Sequence, residues 1–202
     1  ARDGREHEVE VYFEASPRWA LDQPYQQSAS KGYEADGLLY LKSGSKEQNI
    51  LAKQGDDLRI DWGYFYMVAG KENTAYSVGN STELRKNFVN GTLNSASLEG
   101  EDSNGNMALV RSHGKVKNVT DKIMLGYDDI YSIQYFGTNL RPYWNSKGDR
   151  TIEAEMLAAY NEYDKLLARC YAFDKKLMED ASAAGGKEYA ELCALAYRQS
   201  IA

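Results

Sequence analysis

At 202 residues the chain is long enough for one substantial core or two small ones. Hydrophobic residues make up 43% of it and aromatics 12%, most of these from 16 tyrosines, whose rings pack while their hydroxyls face water; tyrosine-rich strands or binding surfaces are therefore expected. A net charge of −6 with no stretch that concentrates Lys and Arg removes the counterion-release term on which nucleic-acid affinity rests, and no apolar run approaches the ~20 residues of a bilayer-crossing helix. Neither nucleic acid nor a membrane span is expected. The chain opens without an initiator Met, and its last residues run in a helical pattern that no Gly, Asn or Pro closes, so a piece of a longer chain is predicted.

Up to about residue 150 the chain reads as strands and turns. His7 to Glu14 sets Val9, Val11 and Phe13 on one face and Glu8, Glu10, Tyr12 and Glu14 on the other, the period-two pattern of a half-buried strand with one wet side. Further strands are predicted at Gly37 to Lys42, at Leu58 to Val68 with Ile60, Trp62 and Tyr64 alternating, and at Ala75 to Val78. Met107 to Arg111 and Lys122 to Tyr127 follow, with turns at Asn90-Gly91, Asn104-Gly105 and His113-Gly114. Many short strands without interleaved amphipathic helices predict an antiparallel β-sandwich and not a βαβ fold.

From Thr151 the period changes. Met156, Tyr160, Tyr163, Leu167, Cys170, Asp174, Leu177 and Ala181 alternate steps of four and three, which places them on one stripe of an α-helix. Thr151 or Asp149 can cap its start, Glu153 and Glu155 suit the positive end of the helix dipole, and Ala183-Ala184-Gly185-Gly186 ends it. A second helix from about Lys187 is expected to bury Tyr189, Leu192, Cys193, Ala196 and Tyr197. The first helix, roughly 50 Å long at 1.5 Å per residue, exceeds what a small sandwich can cover, so it calls for other helices. The fold class is thus mainly β with C-terminal α: a β-sandwich over residues 1–127, a junction over 128–150, and the first helices of a helical domain over 151–202.

Chemical motifs are sparse. His7 and His113 lie far apart, and no Cys pair has zinc spacing, so no metal site is expected; nor does any motif call for a cofactor. Cys170 and Cys193 fall on helical faces, where small buried thiols are the expectation. Ser28 to Lys31 and Ser43 to Lys46 match Ser-x-x-Lys, but a serine amidase needs a helix start to bring the two side chains together, and neither copy precedes a helix. Asn80, Asn90 and Asn118 each open an Asn-x-Ser/Thr triplet, which is compatible with secretion.

The segment Leu125 to Asn145, LGYDDIYSIQYFGTNLRPYWN, stands out. It gathers Tyr127, Tyr131, Tyr135, Phe136, Tyr143 and Trp144 around Asp128, Asp129 and Arg141, a mixture suited to small polar ligands. Asp128 or Asp129 could serve as general base or grip an α-amino group, and Arg141 could hold an α-carboxylate in bidentate fashion, with Tyr131, Tyr143 and Trp144 lining the substrate. The plainer reading is a linker whose aromatic residues pack one domain on the next.

The same segment, followed by RCYAFDKKLMEDASAAGGKEYAELCALAYRQSIA, resembles the glutaminase A family of secreted fungal and bacterial proteins, and DGREHEVEVYFEASPRWAL and IDWGYFYMVAG resemble the β-domain of that family. The resemblance implies hydrolysis of the side-chain amide of L-glutamine in the full-length protein, a helical part like the toroids of six-hairpin glycosidases, and a secreted or periplasmic location. It implies that the remaining helical domain of the longer chain is the partner of this piece, which would be inactive alone. It carries no catalytic residue onto these positions. A different class remains open, since a sandwich ahead of a helical toroid is also the plan of several glycosidases, and tyrosine and tryptophan faces with paired carboxylates suit sugars. An interaction module without chemistry is a third reading.

Overall fold

The computed structural model describes residues 1–53, 55, 61–93 and 105–200. It divides into two compact units, Ala1–Met156 and Leu157–Ala202. The elements in chain order are β1 (His7–Ala15), β2 (Ser28–Ala35), β3 (Leu38–Ser45), β4 (Tyr64–Gly70), β5 (Thr74–Gly79), α1 (Ser81–Val89), β6 (Asn106–Val116), β7 (Met124–Asp128), β8 (Ile133–Tyr135), β9 (Thr138–Leu140) and α2 (Ile152–Ser200). The predicted strand start at Leu58 to Ile60, and Asn104 of the Asn104-Gly105 turn, lie outside the described residues.

The first unit holds two antiparallel sheets, in the orders β1-β6-β5 and β2-β3-β4-β7, plus the small β8-β9 hairpin. Alternation along the strands decides which side chains meet between the sheets. Leu41, Phe65, Met67 and Ala69 from one sheet join Ala15, Met107 and Leu109 from the other in one buried cluster, flanked by Phe13, Tyr76, Val78 and Tyr127. The expected sandwich is therefore present, built as two open sheets over a shared core.

Several expectations need correction. β2 has no apolar alternation; its inward side chains are Ser28 and Ser30, buried because the Ser30 hydroxyl donates to Ser43 Oγ at 2.8 Å. Both Ser-x-x-Lys copies begin on strands, and residues three apart on a strand point to opposite faces, so Ser28 and Lys31 are kept apart. Of the predicted 58–68 strand, Asp61, Trp62 and Gly63 lie outside the ladder and β4 starts at Tyr64, after Gly63 takes a φ of 79°. The outer face of β1 is not simply wet. α1 lies against that sheet, with Leu84 buried, Phe88 4.9 Å from the Tyr12 ring and Arg85 Nε donating to Glu14 Oε2 at 2.7 Å. Asn90-Gly91 is the exit of this helix and not a hairpin turn, and Asn80 opens it by accepting from the amides of Thr82 and Glu83. His113-Gly114 lies inside β6, at the register shift opposite Val9 and Glu10.

In the second unit the expected two helices are present. The first of them starts within the first unit, where Thr151 Oγ1 caps it by accepting from Ala154 N at 3.2 Å. Gly186, at φ 83° and ψ −176°, breaks α2, a conformation glycine reaches without the Cβ penalty. The chain then returns on itself, with the Phe173 and Tyr197 rings 5.0 Å apart. Ala181 and Ala190 are buried, whereas Cys170, Tyr163, Tyr189, Leu192, Ala196 and Tyr197 are exposed, contrary to the burial expected of them. Two helices alone bury only the narrow seam where they touch, and the rest of an apolar stripe stays open. A groove of about 910 Å³ between them is lined by Leu166, Cys170, Phe173, Leu177, Ala194 and Tyr197. Among the described residues no helix is long and apolar enough to cross a membrane.

Candidate functional site

The end of β7 and the loop after it are shaped by Trp62. Its indole N–H donates to the carbonyls of Asp129 at 2.7 Å and Tyr131 at 2.9 Å, and the Tyr127 hydroxyl donates to the Trp62 carbonyl. Gln48 holds the next residue on both sides, accepting from Gly63 N at 2.6 Å and donating to Gly63 O at 3.3 Å. A Cβ on Gly63 would lie 2.3 Å from the Asp128 carbonyl oxygen, so only glycine allows this approach. Gln48, Trp62 and Gly63 thus fix where Asp128 and Asp129 sit.

Within that loop Asp128 Oδ1 accepts from Ile130 N at 3.0 Å, and Asp129 Oδ2 accepts from the Ser132 hydroxyl at 2.6 Å. Arg141 lies over the Tyr131 ring, 5.1 Å from its centroid. Asp128, Asp129, Tyr131 and Arg141 therefore belong to one loop system. Tyr143 and Trp144 do not converge on it. They line a separate depression of about 270 Å³ with Ser146, Lys147, Asp149 and Arg150, and Tyr143 is 96% exposed.

A second group of residues, which the sequence reading missed, surrounds Asp128 on the outer face of the four-stranded sheet. The register sets Tyr64 between Gly44 and Asp128, Tyr66 between Lys42 and Gly126, and Tyr33 opposite Tyr40. Directly paired residues project from the same face, so Lys31, Tyr33, Tyr40, Lys42, Tyr64, Tyr66 and Asp128 share one surface. Tyr33 and Tyr40 stack at 5.2 Å, and the Lys42 ammonium sits 3.6 Å over the Tyr64 ring and 5.5 Å over that of Tyr66. The first turn of α2 closes one end of this surface. Glu153 Oε1 accepts from the Tyr33 hydroxyl at 2.6 Å, its backbone carbonyl accepts from the Tyr40 hydroxyl at 3.3 Å, and the Met156 thioether lies against Gly126.

Protonation follows from this packing. Burial, and then the Glu153 carboxylate, push the Tyr33 and Tyr66 phenols well above the ordinary range, and Tyr40 moves the same way for the same reasons. These hydroxyls are proton donors across the physiological range. Tyr127, buried and near Asp129, Asp61 and Asp128, is pushed up to about 12. Burial and then the like charge of Lys31 lower the Lys42 ammonium, against the pull of Glu153 and Asp128. The surface thus combines fixed phenol donors, an ammonium on an aromatic floor, and a carboxylate at its rim. Among the described residues no group of three His, Cys, Asp and Glu gathers to hold a metal ion.

The fold and this surface define a two-sheet domain that runs directly into a helical hairpin. The chain belongs to the family described as Domain of unknown function (DUF5127), whose profile matches residues 1–180. It is also similar to Glutaminase A of Aspergillus oryzae (strain ATCC 42149 / RIB 40), with 26% identity over 217 residues covering 99% of this chain and 30% of that protein. The chain thus spans less than a third of the length of this curated relative.

Proposed function

We propose that this chain is the sandwich and first helical hairpin of a glutaminase-like amidohydrolase that converts L-glutamine and water to L-glutamate and ammonia. The observation that carries the reading is the alignment with Glutaminase A along nearly the whole chain. In this reading residues 1–127 are the scaffold, 128–150 the junction and 151–202 the first helices of a larger helical domain. The exposed Tyr163, Phe173, Leu192 and Tyr197 are the surface against which that domain's further helices pack. The fragment serves as one wall of the site and does not turn over substrate alone. Secretion fits the exposure of Asn80, Asn90 and Asn118.

Asp128 is the residue we place at the substrate. One of its oxygens is fixed by the Ile130 amide and its side chain shares the tyrosine-lysine surface, which suits a group that grips an α-ammonium. Asp129, held by Ser132, and Arg141, laid on Tyr131, position the loop that carries it. The test is a substrate panel on the full-length protein, glutamine against oligosaccharides, with ammonia and reducing-sugar readouts. Ammonia from glutamine alone supports the reading; reducing sugar without ammonia replaces it with glycoside hydrolysis, and neither product points to a non-catalytic module.

A further inference from the structure

The glutamine reading requires a place that recognises the α-carbon end of a free amino acid, and one row of the tyrosine-lysine surface has the chemistry for it. We propose that Lys42 and Asp128, with the Tyr64 ring as floor between them, form a binding site for the zwitterionic end of a free α-amino acid, the α-carboxylate on Lys42 and the α-ammonium on Asp128. The inference deepens the proposed function and rests on it.

Four observations carry it. The first is spacing: Asp128 on β7 pairs directly with Tyr64 on β4, and Lys42, two residues along β3 from Tyr64's other partner Gly44, reaches over that ring. The ammonium and the carboxylate thus flank one ring, and a zwitterion whose charged groups lie about 3 Å apart, with a hydrogen bond of roughly 2.8 Å at each end, joins groups about 9 Å apart. The second is open valence: among the described residues neither Lys42 nor Asp128 closes an ion pair, and Asp128 has given only Oδ1 to a backbone amide. The third is the floor. Gly44, where a Cβ would lie 2.6 Å from Tyr64 Cδ1, lets the Tyr64 ring lie across β3 beneath the Lys42 ammonium. Tyr64 is half-buried while Tyr66 and Tyr40, nearer the α2 turn, are fully buried, so the Tyr64–Asp128 row, over which the Lys42 ammonium reaches, is the accessible rim of the surface. The fourth is the direct pairing of Lys31 with Lys42, two like charges face to face, an arrangement that a bound carboxylate relieves.

The test uses the full-length protein and calorimetric titration with three probes that are not hydrolysed: L-glutamate, 4-aminobutanoate, which lacks the α-carboxylate, and glutarate, which lacks the α-amino group. Lys42→Met is expected to weaken L-glutamate and glutarate about 10- to 100-fold and leave 4-aminobutanoate unchanged, the range for losing one charge-assisted contact. Asp128→Asn is expected to weaken L-glutamate and 4-aminobutanoate and spare glutarate, and Lys42→Arg to restore most of the glutarate affinity. Should Lys42→Met fail to fold, Lys42→Gln is held to the same pattern. Equal losses for all three probes, or none, overturn the assignment. Ammonia release by the unsubstituted protein separates the two claims: selective loss in the variants without glutamine turnover keeps the binding site and removes the hydrolase reading, while turnover with an unchanged KM in Lys42→Met does the reverse.

Discussion

Replacing Gly63 by Ala tests how the loop carrying Asp128 is held. Gly63 has a φ of 79°, and an added Cβ would meet the Asp128 carbonyl oxygen at 2.3 Å and the Asp129 Cα at 2.9 Å. The left-handed conformation alone costs an alanine about 1–2 kcal/mol. The contact cannot be relieved by turning a side chain, because both neighbours are backbone, so β7 must move away from β4 at a further cost of about 1–3 kcal/mol. Gly37→Ala is the control: its φ is 80° and nothing lies within 4 Å of the added Cβ, so only the conformational part applies. Urea unfolding of the two variants is expected to show a loss of about 2–5 kcal/mol for Gly63→Ala and about 1–2 kcal/mol for Gly37→Ala. Equal losses would refute the reasoning, since they would mean that the loop yields freely and that Asp128 is not fixed by this packing.

Glu14 is buried, which pushes its pKa up, but hydrogen bonds from Asn106, Ser81, Arg85 and Tyr12 outweigh burial and hold it below its ordinary value. A carboxylate whose folded pKa is depressed stabilises above its unfolded pKa and loses that contribution as the pH falls through the folded value. Glu14→Gln is therefore expected to lower Tm at pH 7 by a few degrees, with the gap to the unsubstituted chain narrowing below about pH 4, as followed by circular dichroism. Tyr33→Phe and Glu153→Gln should be coupled by about 1 kcal/mol in a double-mutant cycle read by urea unfolding; additive effects would show that the 2.6 Å bond contributes nothing. Leu41→Ala, in the fully buried seam between the sheets, is expected to cost about 2–5 kcal/mol by the same measurement.

β1 was legible because its apolar residues recur every second position, and β3, β4 and β6 because each carries a short apolar run next to turn residues, buried on both faces. β2 was hidden because its buried residues are serines satisfied by a partner strand, a pairing that no local pattern records. α1 was hidden for a related reason: nine residues with only Leu84 buried leave too little periodicity to see, and what holds it is Phe88 on Tyr12 and Arg85 on Glu14, contacts to a strand some seventy residues away. The helical break was readable at Gly185-Gly186, yet the buried seam was not, because the choice of Ala190 over Leu192 depends on how the two helices cross. At the candidate site, Asp128 was reachable from its aromatic surroundings in sequence. Lys42, Tyr64 and Tyr66 were not, since only the register of three strands brings them to it; the trace available was the matched spacing of Tyr40 with Lys42 and of Tyr64 with Tyr66, each pair on one strand face.

The most direct measurement is a crystal structure of the full-length protein with L-glutamate bound. Density for its α-carboxylate at the Lys42 ammonium and its α-ammonium at Asp128, over the Tyr64 ring, is the expected result. A ligand bound elsewhere, with Lys42 still resting on Tyr64 and water alone beside Asp128, would contradict it.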